Sequence, residues 1–131
     1  MIFVVDASAA MEILLNRPDG DRLVRCLEAA DEVIAPDLVF AEAANALGKS
    51  HRFQKMPLAI CHRALDELER MIKRVVPAQE LYRDAFALAR SSQRSAYDML
   101  YLALAQREAA TLLTLDTSLK KEAERQGIRT A

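Results

Sequence analysis

Short β-branched runs alternate with longer helical patterns along this chain, and that alternation most constrains its fold. Five runs predict strands: Ile2–Val5, Val33–Ala35, Arg74–Val76, Thr111–Leu115 and Ile128–Thr130. Seven longer segments predict helices: Ser8–Leu15, Asp21–Ala29, Asp37–Leu47, Leu58–Lys73, Ala78–Ser91, Ala96–Ala109 and Ser118–Gln126. Strands that alternate with helices are typical of parallel sheets. We therefore expect an α/β fold in three layers, a parallel five-stranded sheet flanked by helices.

Proline and glycine mark the ends of two predicted helices. Pro36 is expected to start one helix and Gly48 to end it, and Gly127 is expected to stop the last helix. No linker, internal repeat or low-complexity tract interrupts the 131 residues. The chain is long enough to bury a core of its own, so we expect a single domain over residues 1–131.

Charge and cysteine content exclude few classes of protein. The 18 basic and 19 acidic side chains give a net charge of −1, so there is no overall basic signal for nucleic acid, although a local patch would suffice. Cys26 and Cys61 lack metal-binding or redox spacing and are expected to be free thiols in a reducing compartment. We find no signal peptide and no apolar run long enough for a bilayer, so we expect a cytoplasmic protein without a membrane partner.

Four acidic residues each stand alone in an apolar stretch, and they are Asp6, Glu42, Asp98 and Asp116. An ionised carboxylate that loses water needs a partner, and no basic residue occupies a matching isolated position. A divalent cation shared by several of these acids is the economical explanation. Oxygen-only ligation suits Mg²⁺ or Mn²⁺ rather than zinc.

The predicted elements bring these acids together. Asp6 ends the first strand and Asp116 ends the fourth, and ligands of open parallel sheets bind outside the carboxyl ends of strands. Glu42 lies on the helix after the second strand, with Asn45 three residues later on the same face. Asp98 lies in the first turn of a helix that is apolar almost all round. We expect all four acids at one crevice, where their mutual repulsion should raise at least one pKa.

Each acid also has a purely structural interpretation. Asp6 or Ser8 could cap a helix, Asp98 could complete a capping box, Asp116 could cap the last helix, and Glu42 could be an ordinary exposed helical residue. For any one of them alone the structural interpretation is favoured. Four solitary acids at the mouth of one sheet favour a metal site instead.

The acids stand in short motifs with a fixed order along the chain. The motifs are Val4-Val5-Asp6-Ala7-Ser8, Phe40-Ala41-Glu42-Ala43-Ala44-Asn45-Ala46-Leu47, Tyr97-Asp98-Met99-Leu100-Tyr101-Leu102-Ala103-Leu104-Ala105 and Leu113-Thr114-Leu115-Asp116. With them the chain resembles a PIN domain and, within that family, the VapC ribonuclease toxins of prokaryotic toxin–antitoxin modules. Met99 stands where alanine is common, which should not affect metal ligation.

This resemblance implies a metal-dependent endoribonuclease that uses Mg²⁺ or Mn²⁺. The implied catalytic and metal-binding quartet is Asp6, Glu42, Asp98 and Asp116, with Glu42 either a ligand or a base that orients water. Ser8, Asn45 and Thr114 match supporting polar positions. The implied partners are an RNA substrate, cut to leave 5′-phosphate and 3′-hydroxyl ends, a VapB-type antitoxin that covers the crevice, and a second copy of the chain in a homodimer.

Basic residues near the acids are candidate RNA contacts, because cations position a phosphate backbone without reading its sequence. The candidates are Lys49, Arg52, Lys55 and Arg94, although a solvated loop explains the first three equally well. His51, expected in that loop, and His62 have no spacing that pairs them, so a metal-free ribonuclease mechanism is not favoured.

Two other classes of α/β protein with acidic, magnesium-binding sites require an aspartate that this chain lacks. A haloacid dehalogenase-type phosphatase needs an aspartate where Ser8 stands, and a receiver domain needs one after the third strand, where Val75-Val76-Pro77 supplies none. A PIN nuclease that processes RNA outside a toxin–antitoxin system stays open. A catalytically inert PIN-like module that binds RNA or protein also stays open, although the presence of all four acids favours a nuclease.

Overall fold

The computed structural model describes residues 1–131 as alternating strands and helices. The strands are β1 (Ile2–Val5), β2 (Glu32–Pro36), β3 (Arg74–Val76) and β4 (Thr111–Leu113). The helices are α1 (Ala7–Leu14), α2 (Gly20–Glu28), α3 (Leu38–Gln54), α4 (Leu58–Met71), α5 (Tyr82–Ser92), α6 (Ala96–Glu108) and α7 (Thr117–Arg125), with a 3₁₀ turn at Ala78–Glu80.

All strands pair in parallel, in the order β3-β2-β1-β4. Val4 of β1 lies opposite Ile34 of β2 on one side and Leu112 of β4 on the other. The chain therefore adds β2 and β3 on one side of β1 and β4 on the other side. This reversal opens a crevice between the carboxyl ends of β1 and β4.

Two hydrophobic cores cover the two faces of the sheet. Successive strand residues point to opposite faces, so Phe3 and Val5 enter a core with α1, α3 and α4, while Val4 enters a core with α5, α6 and α7. Seven consecutive residues of α6, Met99 to Ala105, are buried, which confirms the expected interior position of this helix. Tyr97 of the same helix is 67% exposed. The result is the expected α/β arrangement of three layers.

The sheet has four strands, so the prediction of a fifth strand at Ile128–Thr130 is wrong. That segment forms one isolated bridge, between Thr130 and Leu112. Two backbone hydrogen bonds join it to β4. The N–H of Leu112 donates to the backbone oxygen of Arg129 (2.8 Å), and the N–H of Ala131 donates to the backbone oxygen of Leu112 (3.0 Å). Because β4 itself is only 3 residues long, it offers this segment little length for a ladder.

Helix α3 is longer than the sequence indicates. Gly48 does not end it: the helix runs to Gln54 and ends at Lys55, which takes a left-handed conformation (φ 56°). A glycine inside a helix costs only about 1 kcal/mol, and continued hydrogen bonding outweighs that cost here. Lys49, His51 and Arg52 consequently lie on a helix and not in a loop. Pro36 likewise ends β2 and does not start the helix.

One predicted helix is divided in the structure, while the predicted helix stop at Gly127 and the free cysteines are confirmed. The helix expected at Ala78–Ser91 is divided into the 3₁₀ turn and α5, with the N–H of Ala78 bonded to the side chain of Asp37 (3.1 Å). Gly127 follows the end of α7 with a positive φ of 78°, as expected of a helix stop. Both cysteines are free. No helix combines the length and apolar character needed to cross a bilayer.

Candidate active site

A small cavity at the carboxyl edge of β1 and β4 contains all four isolated acids. It has a volume of about 130 Å³. Its lining consists of Asp6, Ala7, Ser8, Glu42, Asp98, Tyr101, Asp116 and Leu119. No lysine or arginine belongs to this lining. The four carboxylates differ in exposure: Asp6 is buried, Glu42 and Asp98 are half-buried, and Asp116 is exposed. We call this space the acidic cavity.

Asp6 is held by three hydrogen bonds at the junction of β1 and α1. Its Oδ1 accepts from the backbone N–H of Ala9 (2.9 Å) and the hydroxyl of Ser8 (2.7 Å), and its Oδ2 accepts from the hydroxyl of Thr114. Asp6 thus caps α1, as the structural interpretation proposed, and also faces the cavity. Burial raises the pKa of Asp6, the three hydrogen bonds oppose that rise, and the charge of Asp116 adds to it.

Ser8 and Thr114 join the segment after β4 to the segment after β1. The hydroxyl of Thr114 accepts from the N–H of Asp116 (3.0 Å), and that of Ser8 accepts from the N–H of Leu115 (3.0 Å). Asp116 also caps α7, where its Oδ1 accepts from the N–H of Leu119 (3.0 Å). Two hydroxyls therefore set the positions of two acids. The supporting role in catalysis that the resemblance implies for both hydroxyl residues stays a prediction.

Glu42 enters the cavity from α3 and meets Tyr101 of α6. The Tyr101 hydroxyl donates to Oε1 of Glu42 over 2.5 Å. Burial raises the pKa of Glu42, the Tyr101 bond opposes the rise, and the charges of Asp6 and Asp98 increase it. Burial also raises the pKa of Tyr101, and the carboxylate of Glu42 raises it further. Because its pKa is raised, the Tyr101 phenol keeps its proton and is the donor in the hydrogen bond with Glu42.

The pattern of α6 groups Tyr101 with apolar residues and does not reveal its contact with Glu42. A usable signal was present, because Tyr101 follows Asp98 by three positions and therefore shares its helical face. A tyrosine on a buried helix also needs a partner for its hydroxyl.

Asp98 lies in the first turn of α6 beside Arg94. The N–H of Asp98 donates to the hydroxyl of Ser95 (3.1 Å), and Nη2 of Arg94 lies 3.7 Å from its carboxylate. Nη1 of Arg94 donates to Ser118 of α7 (2.7 Å). Burial raises the pKa of Asp98, Arg94 opposes the rise and Asp116 adds to it. The guanidinium predicted to contact RNA is thus already engaged by groups of the site.

Three of the four acids therefore have a raised pKa. This agrees in direction with the expectation for clustered carboxylates. Burial is the largest cause of each raised pKa, and repulsion between the acids is a smaller cause. Each of these three acids nevertheless feels the charge of at least one other acid of the cavity: Asp116 acts on Asp6 and Asp98, which in turn act on Glu42.

The donors of the acidic cavity match a hard divalent cation. All are oxygen atoms, and the second carboxylate oxygens of Glu42 and Asp116 accept no hydrogen bond from the protein. No three histidine, cysteine, aspartate or glutamate side chains lie close enough together to hold one ion. Each carboxylate instead contacts a separate hydrogen-bond donor or cation of the protein. Mg²⁺ typically takes one or two carboxylates and keeps several water ligands, so this donor set fits it.

Asn45, predicted as a supporting polar residue, and the other predicted RNA contacts lie outside the acidic cavity. Asn45 and Lys49 line a neighbouring cavity of about 480 Å³. Arg52 lies over the ring of Phe53, 5.2 Å from its centroid, and Lys55 ends α3. His51 contacts the backbone oxygen of Met56 (2.8 Å), and the acidic cavity contains neither histidine.

Comparison with known sequences identifies relatives across nearly the whole chain. The PIN domain family model matches residues 3–124. Ribonuclease VapC3 of Pyrobaculum aerophilum is 34% identical over 124 residues, which cover 93% of this chain and 95% of that protein. Ribonuclease VapC9 of Mycobacterium tuberculosis is 34% identical over 125 residues, or 95% of this chain and 94% of that protein.

Solved structures share the fold at lower identity. PAE2754 from Pyrobaculum aerophilum superposes with a TM-score of 0.75 at 22% identity, over 99% of this chain and 89% of that one. VapBC2 from Rickettsia felis, bound to a DNA fragment from its promoter, superposes with a TM-score of 0.69 at 16% identity, over 100% of this chain and 98% of that one.

Proposed function

Because this chain belongs to the PIN domain family and its relatives include proteins named VapC ribonucleases, we propose that it is a metal-dependent endoribonuclease, the toxin of a toxin–antitoxin pair. The observation that carries the proposal is the lining of one small cavity by Asp6, Glu42, Asp98 and Asp116. We treat residues 1–131 as one catalytic domain.

Asp6, Asp98 and Asp116 are assigned chiefly to holding Mg²⁺ or Mn²⁺, one or two of them directly and the rest through water ligands of the ion, with Glu42 as a further ligand or as the group that orients water. When bound, the cation supplies concentrated positive charge, which offsets the charge of the scissile phosphate and favours ionisation of water. The oxygen-only donor set supports this assignment. The carboxylates alone would repel a phosphate, so they need the cation to accept this substrate.

The protein groups prepare the site before RNA arrives. Ser8, Thr114 and the N–H of Ala9 hold the Asp6 carboxylate in one orientation. Tyr101 holds one oxygen of Glu42 and leaves the other to accept a hydrogen bond from the attacking water. Attack by water on phosphorus, with the 3′ oxygen as the leaving group, produces 5′-phosphate and 3′-hydroxyl ends.

An antitoxin is the proposed protein partner. Solved structures with the same fold include VapBC1 of Haemophilus influenzae and VapBC2 of Rickettsia felis. We infer that a VapB-type protein binds this chain and covers the acidic cavity, and that the chain forms a homodimer. A neighbouring gene for a small DNA-binding protein would support this pairing over an RNA-processing role. Sedimentation velocity of the purified chain tests the dimer.

Cleavage of total cellular RNA by purified protein tests the enzymatic proposal. Wild type is compared with Asp6→Asn and with Asp66→Asn, which makes the same change at an exposed, unpaired position on α4. Each protein is assayed with Mg²⁺, Mn²⁺ or EDTA. We expect discrete cleavage by wild type and Asp66→Asn, loss with EDTA, and loss in Asp6→Asn. RNA or protein binding without metal-dependent cleavage would favour the inert module.

A further inference from the structure

A second cavity opens directly beside the acidic cavity, between α1 and α3. Its volume is about 480 Å³. Its lining consists of Ala7, Ser8, Met11, Glu12, Arg17, Glu42, Asn45, Ala46, Lys49 and Leu115. Ala7, Ser8 and Glu42 belong to both cavities. A strand of RNA with a phosphate at the acids would therefore place a neighbouring nucleotide here. We call this space the flanking cavity.

Two unpaired cations line the flanking cavity. The side chains of Arg17 and Lys49 are exposed, and neither makes an ion pair or hydrogen bond within the protein. This differs from Arg94, whose guanidinium is engaged by Asp98 and Ser118. Free cations beside an acidic catalytic cavity are complementary to the backbone phosphates on either side of a cleaved bond. Arg17 was not identified from the sequence.

The turn that carries Arg17 is built onto the end of α1. The N–H of Arg17 donates to the backbone oxygen of Glu12 (3.0 Å), and the N–H of Asp19 donates to Oε2 of the same residue (3.0 Å). A Cβ at Gly20 would lie 3.0 Å from the backbone oxygen of Glu12, so glycine permits this close packing. The backbone at Arg17 is thus ordered in advance, which lowers the entropic cost of binding.

The remaining lining combines apolar and polar groups as a base-binding pocket does. Met11, Ala46 and Leu115 offer apolar surface to the face of a ring. Asn45 offers an amide, and Glu12 offers a carboxylate whose Oε1 accepts no hydrogen bond from the protein. Carboxylates accept hydrogen bonds from amino groups on base edges. Base edges and faces are accessible together only in unpaired RNA.

We propose that the flanking cavity is a nucleotide subsite, which binds one unpaired nucleotide next to the scissile phosphate. Arg17 and Lys49 contact the backbone phosphates, while Glu12 and Asn45 read a base that carries an amino group. This inference rests on the proposed ribonuclease function and adds to it the residues of this chain that would select the base beside the cut.

The phosphate contacts are tested by binding without cleavage. Arg17→Gln and Lys49→Gln are each combined with Asp6→Asn, and affinity for a fluorescent single-stranded RNA of about twelve randomised nucleotides is measured by anisotropy at several salt concentrations. We expect each variant to lose affinity by about threefold to tenfold and to reduce the salt slope by about 0.7. Arg70→Gln is the matched control, since Arg70 is exposed at the end of α4, near the opposite edge of the sheet.

The base contact is tested by mapping cut sites in total RNA for wild type and Glu12→Gln. Glutamine keeps an oxygen for the N–H of Asp19 and replaces the free acceptor with a donor. We expect the preference for amino-bearing bases to weaken or reverse at one position beside the cut, while the total rate of cleavage changes less. Identical base frequencies for the two proteins would overturn the assignment of Glu12.

Failure of the proposed ribonuclease function and failure of the nucleotide subsite give different experimental results. If wild type does not cleave RNA, the proposed function fails. If wild type cleaves and both charge variants bind RNA as tightly as the Arg70→Gln control, only the subsite fails. If the charge variants keep their RNA affinity but escape inhibition by the antitoxin, the flanking cavity belongs to a protein partner, and the nucleotide subsite is overturned.

Discussion

The hydroxyl of Thr114 donates a hydrogen bond to the carboxylate of Asp6, although the two residues lie 108 positions apart in the chain. The same oxygen accepts the backbone N–H of Asp116. One buried hydroxyl therefore links two of the four acids and joins the ends of β1 and β4. The arrangement of the acidic cavity depends on this link, which makes Thr114 the most informative supporting residue to change.

Thr114→Val should damage both stability and cleavage. Valine removes the hydroxyl and leaves the buried Oδ2 of Asp6 without its donor. We expect the free energy of unfolding in urea to fall by about 1–3 kcal/mol, the cost of an unsatisfied buried polar group. RNA cleavage should fall by about tenfold or more, as for other groups that orient metal ligands. Thr114→Ser, which keeps the hydroxyl, is the control, and equal behaviour of the two variants would contradict the link.

Asp6→Asn should stabilise the metal-free protein while abolishing cleavage. Burial raises the folded-state pKa of Asp6 above its ordinary value of 3.8. The folded state then binds more protons than the unfolded state, so wild-type stability falls as pH rises above that value. Asparagine removes this dependence and keeps the helix cap.

In EDTA at neutral pH we expect Asp6→Asn to raise the free energy of unfolding by about 0.5–2 kcal/mol, the range of single stabilising substitutions. The difference from wild type should shrink as pH falls toward the ordinary pKa of aspartate. Urea denaturation across this pH range measures it. A variant that is less stable than wild type at neutral pH would show that the three hydrogen bonds outweigh desolvation.

Tyr101→Phe should weaken metal binding with little loss of stability. The change removes the donor to Glu42 and preserves the buried ring. Without that bond the pKa of Glu42 should rise further, and its carboxylate should lose its fixed orientation. We expect Mn²⁺ affinity, measured by calorimetry, to fall by about tenfold. Tyr97→Phe, at an exposed position of the same helix, should bind Mn²⁺ as wild type does.

Metal affinity should increase as pH rises above the ordinary carboxyl pKa values of 3.8 and 4.5. Burial raises the pKa of Asp6, Glu42 and Asp98, and protons compete with a cation for these carboxylates. Affinity should therefore be lost as pH falls through the raised values, by up to about tenfold per pH unit for each proton displaced. Mn²⁺ titrations from the ordinary aspartate pKa of 3.8 upward to neutral pH measure this. An affinity that reaches its plateau within the range of ordinary carboxyl pKa values would contradict the raised values.

Local patterns were sufficient to predict the elements around the site. The strand before Asp6, the buried helix after Asp98 and the turn at Gly127 all follow from short-range periodicity and glycine chemistry. The same reasoning gave a wrong end for α3, because backbone hydrogen bonding continues past Gly48 as far as the N–H of Lys55, which donates to the oxygen of Ser50. It also gave a wrong fifth strand, because a β-branched segment forms a strand only where a neighbouring strand is long enough to pair.

Contacts between side chains of different helices and strands could not be predicted from local patterns. Arg94 is a candidate RNA contact from the sequence, and nothing in the sequence indicates that its guanidinium also donates to Ser118, which lies on a different helix. Arg17 gave no signal because its position beside Lys49 depends on how α1 packs against α3. Such contacts depend on the relative placement of elements, which no local pattern encodes.

The sequence by itself determined the chemistry available to this protein: four isolated carboxylates within an alternating α/β pattern. The predicted strand Thr111–Leu115 ends earlier, at Leu113, so Asp116 caps α7 and does not end a strand. Only the tertiary structure decided how those groups are held, through Thr114 against Asp6 and Tyr101 against Glu42, which are 108 and 59 positions apart. The physical reason is that periodicity reports which face of an element is buried. Strand order and helix packing decide which buried faces meet.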